Sequence, residues 1–167
     1  MEIVVRASTM VVPAEDTPRT KVWSSNVDLA APNSHTMGVH FYRLNGTANF
    51  FDTKVMKDAL SKVLVAFCPL AGRLKEDRHD RAEIDCQGQG VLFVEAESNV
   101  NMDYFGDFAP TLELQKLFPK VDNSLEIESN PIVVVQVTFF KCGGVSLGLG
   151  IHHSVADGAS MLYCLNT

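Results

Sequence analysis

Two long apolar runs constrain this chain more than any other feature. They extend from Ile132 to Phe140 and from Val145 to Ile151, joined by Lys141-Cys142-Gly143-Gly144. The first is rich in β-branched residues, and neither alternates as a half-exposed strand does. The pair therefore predicts a buried hairpin at the centre of a sheet. Gly148 and Gly150 remove side chains from the second strand, which implies a close neighbour on that face. The same strand runs directly into His152 and His153, followed shortly by Asp157-Gly158.

The rest of the chain supplies strands and one clear helix. Glu2 to Ala7, Val39 to Leu44, Arg81 to Cys86 and Val91 to Ala96 read as strands. In the third, Ala82, Ile84 and Cys86 share one face and Arg81, Glu83 and Asp85 the other. Gln87-Gly88-Gln89-Gly90 marks a turn. Asp52 is a good N-cap for a helix whose apolar positions are Val55, Met56, Ala59, Leu60, Val63, Leu64 and Phe67. That double row predicts one wide buried stripe, with Pro69 as the stop. Residues 99–131 are less regular, with a short helix expected around Leu112 to Leu117. The fold class is α/β, a mixed sheet flanked by helices.

Charge and hydropathy exclude several functions. Fourteen Lys and Arg against 20 Asp and Glu give a net charge of −6. Binding nucleic acid needs the opposite excess, and an anionic membrane surface would repel the chain. No apolar run approaches the ~20 residues that cross a bilayer, and Met1-Glu2-Ile3-Val4-Val5-Arg6 does not resemble a signal or transit peptide. The expected location is cytoplasmic. Cys68, Cys86, Cys142 and Cys164 form no CxxC pair, so they read as four reduced structural thiols rather than zinc ligands. No metal and no cofactor are expected.

The chemistry lies at the end of the second apolar run. A histidine where a rigid strand gives way to a loop can be held firmly and still reach a cleft. Moving an acyl group onto a hydroxyl requires a base, because the hydroxyl attacks only as its proton leaves. An imidazole titrating near neutrality suits that task. Two bland alternatives stay open on the residues alone. The histidines could be satisfied structural groups, and Asp157 could simply cap the next helix. A metal pair is disfavoured, because adjacent strand residues face opposite ways.

His153-Ser154-Val155-Ala156-Asp157-Gly158 matches the HxxxDG motif. Other segments match in order along the chain: Trp23-Ser24-Ser25-Asn26-Val27-Asp28-Leu29, His35-Thr36, Phe50-Phe51-Asp52, Ala71-Gly72-Arg73-Leu74, Gly90-Val91-Leu92-Phe93-Val94-Glu95-Ala96 and Gly106-Asp107-Phe108-Ala109-Pro110. Together they resemble the plant BAHD acyltransferases, in the hydroxycinnamoyl-CoA:shikimate/quinate branch. The resemblance implies a chloramphenicol acetyltransferase-like N-terminal domain spanning residues 1–167. It also implies transfer of a hydroxycinnamoyl group from coenzyme A, as co-substrate, to a small hydroxyl acceptor. His153 would be the general base, Asp157 and Gly158 would support its loop, and His35 would line the substrate cavity.

Members of that family are more than twice as long, with the active-site channel between two domains. The resemblance thus implies that this chain needs a C-terminal domain, and that alone it is catalytically incomplete. The alternative reading is a half-domain that acts only by binding a partner or the intact enzyme. Met37-Gly38-Val39-His40, Cys68 and Ser154-Val155-Ala156 depart from the usual residues of the branch, which leaves the acceptor open among shikimate, quinate and an amine.

Overall fold

A computed structural model describes residues 1–32, 34–78, 81–121 and 127–156. In chain order the elements are β1 (Ile3–Val11), β2 (Lys21–Trp23), a one-turn helix α1 (Asn26–Leu29), β3 (His35–Tyr42), α2 (Thr53–Ala66), β4 (Arg73–Glu76), β5 (Ala82–Asp85), β6 (Val91–Ser98), β7 (Val133–Phe139) and β8 (Val145–His152). Short 3-10 turns at Cys68–Ala71, Met102–Phe105, Leu112–Leu117 and Ile127–Ser129 fill the connections.

The strands form two sheets. The larger runs β1-β6-β7-β8-β3, and the smaller β2-β5-β4. Among the described residues only β6 and β7 pair in parallel, so the large sheet is mixed. The expected hairpin is present as β7 and β8, third and fourth of five strands. Every residue of β8 is buried, which accounts for a strand that never alternates in polarity.

The core sits between one face of the large sheet and α2. Val91 and Phe93 of β6, Val135 and Val137 of β7, and Val145, Leu147 and Leu149 of β8 pack there with Leu64. A second cluster joins the small sheet to the end of the hairpin through Leu74, Ile84, Cys86, Ile132 and Ile151. The opposite face of the large sheet lies under the 3-10 turn at Leu112–Leu117. A Cβ on Gly148 would stand 2.0 Å from the Leu117 carbonyl oxygen, and one on Gly150 would stand 2.5 Å from the Met37 sulfur. The missing side chains of β8 are the space that lets these neighbours approach.

Asp52 caps α2, its carboxylate accepting the amides of Lys54 at 2.9 Å and Val55 at 3.2 Å. The helix ends at Ala66, and Pro69 belongs to the 3-10 turn that follows. The apolar stripe is only partly covered, which corrects the expectation of one wide buried face. Leu64 is fully buried, Met56, Leu60, Val63 and Phe67 are half-buried, and Val55 is 58% exposed with Ala59 also exposed. A cylinder on a sheet touches along a strip, and Val55 and Ala59 lie on its flank.

Other boundaries also shift. β1 continues to Val11 because its whole length pairs with β6, across a bulge between Val5 and Ala7. β3 begins at His35, four residues before the expected strand, because its ladder with β8 extends to His152. The thiols differ in setting: Cys86 is buried, Cys68 half-buried and Cys142 exposed in the β7–β8 turn. Cys142 therefore does not serve as a core residue; its sulfur accepts the Met102 amide at 3.4 Å. Cys164 lies outside the described residues.

Candidate functional site

The site grows from the end of β8. Extended backbone alternates its side chains, so His152 falls on the face opposite α2, together with Gly148 and Gly150. The next residue leaves the strand. The amides of Val155 and Ala156 both reach back to the His152 carbonyl, at 2.9 and 3.4 Å, closing a turn over residues 153–155. The His153 amide donates to the Ser34 carbonyl at 3.0 Å, which ties this turn to the start of β3. The His153 side chain is exposed. Val155 and Ala156 pack onto the second core cluster. The result is a solvent-reaching imidazole on a backbone anchored from three directions.

His152 is the opposite case, only 5% exposed. Directly across the ladder from it is His35. The two rings meet edge to face, their centroids 5.4 Å apart at 78°. His35 is itself half-buried, and its Nε2 lies 2.8 Å from the Pro131 carbonyl oxygen. An acceptor of that kind requires a proton on Nε2. Burial lowers the His35 pKa, against the pull of the Pro131 and Ile132 carbonyls. His152 falls further, to about 4, first through burial and then through the charges that His35 and His153 would carry. Burial thus disfavours the charged form of both rings, and most strongly that of His152.

His35, His152 and His153 therefore gather at one end of the β3–β8 ladder. Asp157 and Gly158 lie outside the described residues. Sequence reading singled out His35 and His153 but did not anticipate that His35 would lie against His152. Pairing of β3 with β8 makes that contact, and no local signal announces it. Among the described residues no cluster of His, Cys, Asp and Glu could hold a metal ion. Among the same residues no helix is long and apolar enough to cross a membrane. An open hollow of about 820 Å³ lies elsewhere on the face opposite α2, lined in part by Ile3, Val5, Leu92, Val94, Lys116 and Gln136, and none of the three histidines borders it.

Comparison with known proteins places this arrangement. The Transferase family matches the chain over residues 1–167. The chain belongs to this family, the BAHD acyltransferases. It is 61% identical over 167 residues to shikimate O-hydroxycinnamoyltransferase of Nicotiana tabacum, and 52% identical over 168 residues to a hydroxycinnamoyltransferase of Narcissus pseudonarcissus. All of this chain is covered in both cases, but only 38% of each relative. Among solved structures, vinorine synthase superposes with a TM-score of 0.82 over 99% of this chain and 41% of its own, at 27% identity. F. graminearum TRI101 complexed with ethyl coenzyme A shares the fold at a TM-score of 0.64 and 16% identity, over 88% of this chain and 37% of its own.

Proposed function

We propose that this chain is the base-bearing part of an acyltransferase that moves a hydroxycinnamoyl group from coenzyme A to a small hydroxyl acceptor such as shikimate or quinate. The observation that carries the reading is His153: an exposed imidazole on a turn pinned by Ser34 and by the end of a fully buried strand. The hydroxycinnamoyl group in the names of the tobacco and daffodil enzymes supports the donor class, and the shikimate in the name of the tobacco enzyme supports the acceptor class. The ethyl coenzyme A complexed with TRI101 of the same fold supports the co-substrate.

In this reading the acceptor hydroxyl oxygen attacks the thioester carbonyl carbon while His153 takes its proton. The tetrahedral intermediate collapses with loss of the coenzyme A thiolate, which recovers that proton from the imidazolium. No covalent acyl-enzyme is needed, because the two substrates meet directly. Asp157 and Gly158 support the loop beyond His153, and His35 lines the substrate cavity. Residues 1–167 act as an N-terminal domain, with a C-terminal domain closing the channel and gripping coenzyme A. The enzyme is cytoplasmic and takes small-molecule partners only.

The test is a fusion of residues 1–167 to the remainder of the tobacco enzyme, assayed with p-coumaroyl-CoA against shikimate, quinate and an amine. His153→Ala in that fusion should lower kcat by ~10²–10⁴-fold and leave the fold intact. Near-normal turnover in the alanine variant would remove His153 from the base role. An inactive but folded parent fusion would favour the reading in which the half-domain only binds a partner.

A further inference from the structure

His152 stands beside the proposed base, yet its side chain does not share the solvent-facing position of His153. It is buried at the last strand position of β8. Its Nδ1 lies 3.3 Å from the Ser154 amide nitrogen. That amide belongs to the middle of the turn that carries His153. A side chain accepting from the backbone two residues onward is the device by which Asx turns fix a chain reversal. Here an imidazole plays the part of the short amide or carboxylate.

The ring is itself held. The His35 and His152 rings meet in a T-shaped contact, and the Pro131 carbonyl holds His35 in turn. The backbone amide of His152 donates to the Ile132 carbonyl at 2.9 Å. A linked series of contacts thus runs from the start of β7, through the β3 edge, into the turn. Each link needs a particular tautomer. His35 must carry its proton on Nε2 to donate to Pro131. His152 must leave Nδ1 bare to accept from Ser154, so its proton resides on Nε2. The burial that keeps His152 neutral at physiological pH also preserves this acceptor, since an imidazolium has donors only.

We infer that His152 is a positioning residue: through its unprotonated Nδ1 it fixes the Ser154 amide, and so the turn that aims the His153 imidazole. The inference rests on the proposal that His153 is the base. It adds that the neighbouring histidine sets the aim of that base without touching substrate. A misplacement of ~1 Å in a reacting group can cost ~10²-fold in rate.

Two substitutions separate acceptor from bulk. In His152→Asn the Oδ1 atom takes roughly the position of Nδ1 and can accept from Ser154. In His152→Leu the volume is largely kept and the acceptor is gone. In the fusion to the tobacco remainder, His152→Leu should lower kcat by roughly 10- to 100-fold with KM for both substrates within about twofold. His152→Asn should recover most of that loss. Equal kcat in the leucine variant and the parent would overturn the inference, and so would equal loss in both variants. His153→Ala is run alongside. If it retains turnover, the base assignment fails, a result distinct from an intact His153 requirement with an indifferent His152.

A second measurement needs neither turnover nor a variant. In ¹⁵N spectra of the 167-residue chain near neutral pH, His152 should show a protonated Nε2 and a bare Nδ1. The reverse tautomer, or an imidazolium, would overturn the inference even if the leucine variant does not fold.

Discussion

His152 carries a consequence that is measurable in the folded protein. Its pKa falls from 6.5 in the open chain to about 4 in the fold, because burial opposes the charged ring and the neighbouring histidines add repulsion. The unfolded chain therefore binds a proton that the native state refuses between those two values. Stability rises with pH wherever the unfolded state holds more protons. This contribution is fully present above pH ~6.5 and is lost progressively as pH falls toward ~4, in total about 3 kcal/mol. Urea unfolding of the protein and of His152→Asn, compared across that window, isolates it from the titrating carboxylates. The parent should lose the extra stability on acidification. Parallel curves would mean that the ring remains solvated or charged.

At the scale of the element, α2 separates cap from stripe. Its N-terminus depends on the Asp52 carboxylate, which satisfies two backbone amides at once. Asp52→Ala should cost ~0.5–2 kcal/mol of unfolding free energy. Three residues on, Val55 belongs to the apolar pattern yet stands 58% exposed. Val55→Ser should stay within ~0.5 kcal/mol of the parent, as surface substitutions do. Thermal or urea unfolding of the two variants checks both statements. A costly Val55 variant and a silent Asp52 variant would mean that the stripe, not the cap, anchors the helix. Strand β8 gives the converse lesson: the Leu117 backbone fills the place of a side chain at Gly148, and the Met37 and Val134 side chains fill it at Gly150.

For the whole molecule, the deciding quantity is how much of a cleft 167 residues can build. The chain spans 38% of the tobacco relative, and the His153 side chain is exposed. Catalysis needs both substrates held in attack geometry as well as a base. Residues 1–167 alone should therefore release no coenzyme A thiol above background, while the fusion to the tobacco remainder turns over. Exposed Val4, Val5 and Met10 along edge strand β1, with Val12 just beyond its end, should also make the isolated chain prone to self-association. Thiol release and size-exclusion chromatography test the two parts. A monomer with clear turnover would show that one domain holds a complete site.

Sequence by itself determined the features that depend on neighbours along the chain. The β7–β8 hairpin followed from two apolar runs and a glycine turn, and α2 from a capping aspartate and an apolar repeat. His153 stood out as the histidine of an HxxxDG motif at a strand end. What only the tertiary structure decided depends on partners distant in sequence. The ladder of β3 with β8 brought His35 against His152 and moved the start of β3 back to His35. Contact along a narrow strip left Val55 in solvent. Strand β5, close to β6 in sequence, went to a different sheet. Periodicity and capping are local energies, readable one segment at a time. Register, strand order and the lowered pKa of His152 come from surfaces that exist only once distant segments have packed.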